Sequence, residues 1–401
     1  MEAANAAVKQ KKKNEYSKFV IVIISISFIQ PEFFTQRTQG VLVYMVLLAI
    51  SVLLLLFVSR TNLRITIFFA LVALYMLYIL LITLLNSGDA FRTAAHTLIP
   101  LAICLAYQEM IRNNARDFIA INATLFEILI YLNFMTILLF PDGILADSPI
   151  HLLGSKNHLI EIALLALTFS FARFYIDRKK APVRPVILLL VSWLSVVLIG
   201  SATSIIVLSV VSLFLILMHK KKPWGINAYT GFVFSILFFV LIIVFRLYDR
   251  LAWFIEDVLN RNMTLTGRTP LWDTALDRIQ SNFIFGHGYY GTDQWRLDFL
   301  RNSSAHNGYL DTLYIGGVIL LVLLLSILLY TMYKMKEGKG SYLYNLCSVI
   351  LLGYFIQWAP SFIRGYEMAL FIGFLTICMG IKSLECAAQE TEVDKLDFPE
   401  N

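Results

Sequence analysis

The chain has 401 residues, of which 58% are hydrophobic and 15% are charged, and its mean hydropathy is +0.72. Soluble domains carry about 25% charged residues, so this composition excludes an ordinary soluble protein and indicates a polytopic helical membrane protein. The formal net charge of +6 comes from basic clusters between apolar stretches, and it therefore does not indicate a nucleic-acid-binding protein.

About twelve membrane spans are predicted, because many windows hold about 18–22 apolar residues, enough to cross ~30 Å of hydrocarbon. The predicted spans are 17–33, 41–58, 64–85, 93–107, 118–140, 155–176, 185–199, 202–218, 226–247, 306–333, 342–358 and 362–382. The predicted fold class is an all-α membrane protein.

Every second connection between these spans is basic, which is typical of loops that stay on the cytoplasmic side. The basic connections are KQKKK (9–13), SRTNLR (59–64), RNNAR (112–116), RKKAPVR (178–184), HKKK (219–222) and KMKEGK (334–339). Both termini are therefore predicted to be cytoplasmic, and the long loop 248–305 is predicted to lie outside the membrane.

The composition divides the chain into five regions. They are a basic cytoplasmic tail (1–17), nine spans (18–247), the outer loop (248–305), three more spans (306–385) and a second cytoplasmic tail (386–401). The last tail is polar and acidic, so it is expected to lack regular structure. No Walker motif occurs, which argues against an ATP-driven mechanism.

An amphipathic helix is predicted within the outer loop. Thr269 fits its N-cap and Pro270 its first position. Its apolar face comprises Leu271, Trp272, Ala275, Leu276 and Ile279. This spacing predicts a helix of about three turns that lies on the outer leaflet or caps the bundle. Three glycines, Gly286, Gly288 and Gly291, predict a flexible turn after it.

Two residues near this loop have side chains suited to glycan or phosphate chemistry. Arg268 precedes the predicted helix, and its guanidinium suits a phosphate or pyrophosphate; the alternative is an anchor to lipid headgroups. His306 begins the tenth predicted span, where an imidazole can accept a hydroxyl proton or bind phosphate; the alternative is a residue of the helix cap. His287, between two glycines, is interpreted as a solvated loop residue.

Further polar residues are predicted on the same side of the membrane. The connection 141–158 contains Lys156 and Asn157, and the turn GSATS (200–204) contains Ser201 and Thr203. Arg246 and Arg250 could add to an anion-binding rim. The acidic and cysteine residues show no metal-ligand spacing, so no metal site is predicted.

The motifs GRTPLW (267–272), GHGYYG (286–291) and AHNGYLDTLYIGG (305–317) together resemble the signature of the O-antigen ligase and polymerase superfamily of bacterial envelopes. In addition, GSKNH (154–158) is similar to an element of the capsular and exopolysaccharide polymerases, and the GSATS turn stands where the family has a Ser-rich turn. The resemblance covers residues 150–330.

The resemblance implies a GT-C-like, metal-independent, inverting glycosyltransferase of the bacterial plasma (inner) membrane. Its donor would be an oligosaccharide on undecaprenyl pyrophosphate, with no cofactor. The implied partners are membrane lipids, a chain-length regulator and a flippase. Binding to nucleic acid is not implied.

The resemblance also assigns roles to individual residues. Arg268 would bind the pyrophosphate, and His306 would activate the acceptor or contact the pyrophosphate. The residues implied to line the pocket are Lys156, Asn157, Asn307, Arg246, Arg250, Trp272, Ser201 and Thr203. Family members often carry Arg or Lys in the Ser-rich turn, where this chain has Ala202. Lys156, Arg246 and Arg250 are the cations that could replace it.

Three functions fit these observations. The first is a polymerase that joins lipid-linked repeat units, favoured by the Lys-Asn element. The second is a ligase that moves finished glycan onto lipid A core or another acceptor. The third is a lipid-oligosaccharide flippase, which the absence of visible repeats and midplane charges argues against.

Overall fold

The structure is a computed structural model of the chain. It describes residues 18–29, 31–35, 46, 49–50, 53, 64–144, 150–155, 158–177, 181–219, 227–245, 268–289, 304–359, 361 and 365–397. Most of the predicted span 41–58 and most of the outer loop lie outside the described residues, as do Lys156, Asn157, Arg246 and Arg250. Of Arg268, only the backbone is described.

The described part of the chain is helical and contains no strand. Its α-helices are α1 (Lys18–Phe28), α2 (Glu32–Thr35), α3 (Ile67–Leu85), α4 (Ala90–Leu139), α5 (His158–Ile176), α6 (Val183–Ile199), α7 (Ala202–His219), α8 (Ala228–Phe238), α9 (Arg268–Ser281), α10 (Gly308–Met335), α11 (Tyr342–Trp358), α12 (Tyr366–Met379) and α13 (Ile381–Asp397). A π-helix (Phe239–Val244) continues α8, and a 3₁₀ turn (Lys336–Gly338) follows α10.

Four described helices, α3, α4, α5 and α10, are long and apolar enough to cross a membrane. A fifth span results if α12 and α13, which meet at a bend of 57°, are counted together. The shorter apolar helices α1, α6, α7, α8 and α11 coincide with further predicted spans. The structure is thus consistent with a polytopic membrane protein, and the total of twelve spans stays a prediction.

Helix α4 reverses direction near its middle. Asn114 has non-helical dihedral angles, φ −156° and ψ 66°. The rings of Tyr107 and Phe118 lie 4.8 Å apart, whereas a straight helix would separate them by about 16 Å. The two arms of α4 correspond to the predicted spans 93–107 and 118–140. Phe118 and Phe126 then pack on Phe169 of α5, the helix at the centre of the core.

One end of the bundle collects several connections and is called the site end here. The N–H of Asp89 donates to the carbonyl of Tyr289 (3.2 Å), and the side chain of Asn307 donates to the carbonyl of Ala359 (3.0 Å). His158 at the start of α5 contacts Glu367 on α12. The charge pattern of the sequence predicts that this end faces outward.

Several sequence-based expectations differ from the structure. The acidic end of the chain forms helix α13, which continues to Asp397, instead of an irregular tail. Helix α9 begins at Arg268, so Thr269 is not its N-cap and Pro270 is not its first residue. Charged residues are also buried in the bundle, since Glu127 and Glu161 are 2% and 4% exposed.

Candidate functional site

The turn before α10 is held by hydrogen bonds that backbone N–H groups donate to three side chains. The N–H of His306 donates to Ser304 Oγ (3.1 Å), and the N–H of Ala305 donates to Asp311 Oδ1 (3.0 Å). Asn307 is the N-cap of α10, and its Oδ1 accepts from the N–H groups of Tyr309 and Leu310, each at 3.0 Å. These bonds fix the backbone on both sides of His306.

His306 has a left-handed backbone conformation, with φ at 51°. This region is uncommon for residues other than glycine, although histidine, asparagine and aspartate adopt it more often than most. Such conformations cost about 1–3 kcal/mol and cluster at functional sites, where the surroundings enforce them. The surrounding bonds thus hold the backbone of His306 in this conformation, and its side chain is partly buried.

Asp311 is a buried carboxylate that sequence analysis did not single out. It lies one turn after Asn307 on α10, is 1% exposed, and binds the backbone immediately before His306. The spacing of Asn307 and Asp311, four residues apart at a helix start, was the available signal, because such residues share one helix face. Asp311 therefore belongs to the site as a residue that positions His306.

Helix α10 is interrupted at Gly316 and Gly317, and the segment 283–288 fills the gap. A continuous helix would pair Tyr314 with Val318 and Ile315 with Ile319. Instead, the carbonyls of Tyr314 and Ile315 accept from the N–H groups of His287 and Gly288 (2.8 Å each). The N–H groups of Val318 and Ile319 donate to the carbonyls of Phe283 and Ile284 (2.9 and 3.4 Å).

The described part of the GHGYYG motif, residues 286–289, therefore anchors α9 to the bundle. The expected flexible turn is wrong for Gly286 and Gly288, which have φ values of 78° and 79° and are held by these backbone bonds; Gly291 lies outside the described residues. His287 stacks on Tyr314 at 4.9 Å, and its Nε2 lies 2.9 Å from the carbonyl oxygen of Arg278. His287 is thus packed between α9 and α10 and is not a solvated loop residue.

The amphipathic helix predicted in the outer loop is present as α9, and its apolar face packs on the bundle. Leu271, Trp272, Ala275 and Ile279 are buried. Burial of a large apolar side chain contributes about 1.5–3 kcal/mol, so this face fixes α9 beside α10. The N-terminus of α9 at Arg268 adds partial positive charge there. Trp272 is buried in this contact.

An apolar groove opens beside Asn307. It has a volume of about 830 Å³ and lies between α7, α8, α10 and α11. Its lining residues are Val210, Phe214, Thr230, Gly231, Phe234, Ser235, Phe238, Phe239, Asn307, Tyr309, Leu352, Phe355, Ile356 and Ala359. The polar groups include Asn307 and the hydroxyls of Tyr309 and Ser235, which lie 2.7 Å apart. Such a groove suits a long apolar chain that carries a polar head.

Two other predicted site residues lie in the turn between α6 and α7. Gly200 ends α6 in the left-handed conformation, and the hydroxyl of Ser201 pairs with that of Ser204 at 2.7 Å. Ser201 is buried and Thr203 is partly buried. Among the described residues, the Ser201 hydroxyl therefore bonds within its own turn.

The predicted Lys156–Asn157 element is flanked by two fixed segments. Before it, the N–H of Ser155 donates to Glu32 Oε2 (2.9 Å), and the N–H of Leu153 donates to Asn133 Oδ1 (2.8 Å). After it, His158 Nε2 lies 3.1 Å from Glu367 Oε1. Within the described ranges, no group of three or more His, Cys, Asp or Glu side chains could hold a metal ion.

One comparison with known proteins covers the part of the chain that contains the His306 turn. Residues 187–325 match the model of a family described as O-antigen ligase. A Haemophilus influenzae protein described as uncharacterized is 32% identical over 103 residues, which are 23% of this chain and 26% of that protein. The chain thus spans about a quarter of the length of this curated relative.

The family match includes the three motifs between 267 and 317, and the GSKNH element precedes it. The resemblance inferred from those motifs is therefore confirmed: residues 187–325 match the model of the O-antigen ligase family.

Proposed function

We propose that the protein is a polysaccharide polymerase of the bacterial plasma membrane, acting at its outer face. It transfers an oligosaccharide from undecaprenyl pyrophosphate to a lipid-linked acceptor. The acceptor hydroxyl attacks the anomeric carbon, the bond from that carbon to the pyrophosphate oxygen breaks, and the configuration inverts. The donor carries its own activated bond, so neither a nucleotide nor a metal takes part.

The observation that carries this proposal is the position of the His306 turn beside the apolar groove. A polyprenyl pyrophosphate has a long apolar chain and an anionic head. The groove of about 830 Å³ suits the chain, and Asn307 both lines the groove and adjoins His306. The volume is within the ~300–1,000 Å³ usual for ligand sites.

Charge development on the leaving pyrophosphate explains the proposed role of Arg268. Fixed donors aimed at developing negative charge are often the largest contribution to a rate enhancement. A guanidinium at the N-terminus of α9 adds to the partial positive charge of the helix. His306 accepts the proton of the acceptor or contacts the pyrophosphate. Lys156, Arg246 and Arg250 are the proposed further cations, and Asn157, Ser201, Thr203 and Trp272 the proposed polar and aromatic lining.

The second candidate is a ligase that transfers finished glycan to lipid A core or another acceptor. The description of the matched family favours it. The Lys-Asn element at 156–157 favours the polymerase, as it is similar to an element of capsular and exopolysaccharide polymerases. Both enzymes use the same donor and the same residues, so they differ only in the acceptor.

The test uses purified protein in detergent, an undecaprenyl-pyrophosphate oligosaccharide, and no nucleotide or metal. A ladder of lengthened lipid-linked glycans that is lost in Arg268→Ala supports a polymerase. Transfer only after addition of a candidate acceptor supports the ligase. If neither product forms with a matched donor, both proposals are wrong. Movement of labelled donor across vesicles, without a new glycosidic bond, would then indicate a flippase.

A further inference from the structure

Three consecutive apolar side chains project from the protein just after α9. Phe283, Ile284 and Phe285 are 54%, 55% and 53% exposed, although their backbone is bonded to the bundle. Single exposed apolar residues are ordinary, whereas contiguous apolar patches mark sites of interaction with proteins or membranes. These three residues, called the 283–285 patch here, therefore form a surface that fits an apolar partner.

The segment that carries the patch is fixed beside α3. The hydroxyl of Tyr78 donates to the carbonyl of Phe285 (3.2 Å), and the N–H of Tyr289 donates to Thr83 Oγ1 (2.9 Å). Helix α3 continues two residues beyond Thr83 and seven beyond Tyr78, which correspond to about 3 and 10 Å of helix. The segment after α9 therefore runs along the last two turns of α3, at the site end.

The same turns of α3 present apolar side chains to the outside of the protein. Leu77, Leu81 and Leu84 are more than half exposed, and α3 is long and apolar enough to cross a membrane. Exposed leucines on such a helix face hydrocarbon. Tyr78, which binds Phe285, lies between Leu77 and Leu81 in the sequence. The 283–285 patch is therefore continuous with the lipid-facing surface of α3.

Helix α10 holds the other side of the patch. The N–H groups of Val318 and Ile319 donate to the carbonyls of Phe283 and Ile284 (2.9 and 3.4 Å). Helix α10 is also long and apolar enough to cross a membrane. The patch is thus attached on both sides to helices with the length and composition of membrane spans.

The backbone of this non-helical segment is paired within the protein. Every carbonyl from Phe283 to Gly286 accepts a hydrogen bond, and every N–H from Gly286 to Tyr289 donates one. Irregular backbone at membrane depth requires such partners, because hydrocarbon offers none. The segment therefore meets the condition for lying within a bilayer.

The polarity of the exposed side chains changes abruptly at the end of α9. Asp277, Arg278, Gln280 and Ser281 are exposed and polar, and the apolar patch begins two residues after Ser281. A polar surface beside an apolar one is typical of an element that lies at the boundary between water and lipid. The change predicts that this boundary passes near Asn282.

We propose that the 283–285 patch is inserted in the membrane and that its partner is the hydrocarbon of the outer leaflet. The chain enters the leaflet after Ser281 and returns to the site end at Tyr289. The predicted outer loop thus contains a re-entrant element, which anchors α9 to lipid as well as to α10. Insertion is independent of the reaction that the protein catalyses, so its test needs no substrate.

The test uses spin labels on single cysteines, with the purified full-length chain in liposomes. Ile284→Cys carries the test label, Leu81→Cys the lipid-facing control and Gln280→Cys the water-facing control. Cys386, the exposed cysteine of the four in the chain, is first replaced by serine. Molecular oxygen concentrates in hydrocarbon, whereas a chelated nickel ion stays in water. The ratio of the relaxation caused by the two reagents therefore reports the medium around each label.

The ratio of oxygen to nickel relaxation at Ile284 should match that at Leu81 and exceed that at Gln280. A ratio nearer to that at Gln280 would overturn membrane insertion. Weak relaxation by both reagents would show that protein covers the patch, and it would overturn the proposal as well.

The neighbouring positions keep the proposal testable if Ile284→Cys does not fold. Phe283→Cys and Phe285→Cys should give the same high ratio, and their side chains are equally exposed. Thermal unfolding of each labelled variant measures its folded fraction. A low ratio at both positions in folded protein would overturn the insertion of the patch.

Discussion

Gly317 lies against the backbone of Ile284 so closely that a Cβ atom on Gly317 would be 2.2 Å from the Ile284 carbonyl oxygen. The φ angle of Gly317 is 61°, which also favours glycine. This contact joins the interrupted helix α10, which begins just after His306, to the segment that follows α9. The Gly316–Gly317 break in α10 and the segment 283–288 after α9, about thirty residues apart in the sequence, thus form one structural unit.

Gly317→Ala should destabilise the protein by more than the backbone strain alone. Alanine at positive φ costs about 1–2 kcal/mol, and the clash with Ile284 should add about 1–3 kcal/mol. Gly340→Ala is the control, because Gly340 has φ at 90° and nothing within 4 Å of the added Cβ. Thermal unfolding in detergent compares the two variants. Equal melting temperatures would show that the close contact does not exist.

Thr230→Trp should obstruct the apolar groove and weaken binding of a long-chain donor. Thr230 lines the groove on α8, whereas Val233 on the same helix is exposed outside it. We expect Thr230→Trp to raise KM for the undecaprenyl donor about tenfold, equivalent to ~1.4 kcal/mol. KM for a donor with a much shorter prenyl chain should change less, and Val233→Trp should leave both values unchanged. Equal effects of the two substitutions would contradict a lipid-binding groove.

His151 should make the protein less stable at mildly acidic pH. Burial lowers the pKa of its imidazole, and Nδ1 has no hydrogen-bond partner among the described residues. The unfolded chain, with a histidine pKa of about 6.5, then binds the proton more readily than the folded chain. The contribution of neutral His151 to the free energy of unfolding is therefore fully present above about pH 6.5. It is lost as the pH falls toward the lower pKa that His151 has in the folded state.

His151→Gln removes this titration. Its melting temperature should fall less than that of the wild type between about pH 7.5 and about pH 5, by a difference on the order of 1–3 °C. Parallel pH profiles for the two proteins would mean that His151 is equally protonated in the folded and unfolded states.

The helical spans and the amphipathic helix could be predicted from local sequence. A membrane core of ~30 Å requires long apolar stretches, and the apolar spacing from Leu271 to Ile279 is visible within a few residues. The helix was predicted to begin at Pro270 but begins two residues earlier, at Arg268. The prediction was wrong because proline is tolerated throughout the first turn of a helix, not only at its first position.

The interior contacts of the site could not be predicted in the same way. The pairing of Phe283 and Ile284 with Val318 and Ile319 joins residues more than thirty positions apart, and no local periodicity encodes it. Glu161 occurs in a stretch apolar enough to predict a span, so its burial beside Glu367 became visible only when α5 and α12 were packed together. Asp311 likewise gained its role from the fold of the turn before α10.

The most direct measurement is the rate of donor turnover by His306→Asn, beside the wild type, with both proteins purified in detergent. Asparagine tolerates the left-handed backbone of His306, so the turn and the melting temperature should be preserved while the imidazole is lost. We predict that turnover of an undecaprenyl-pyrophosphate oligosaccharide falls by about 10²–10⁴-fold. Turnover at the wild-type rate would contradict a reaction centre at His306.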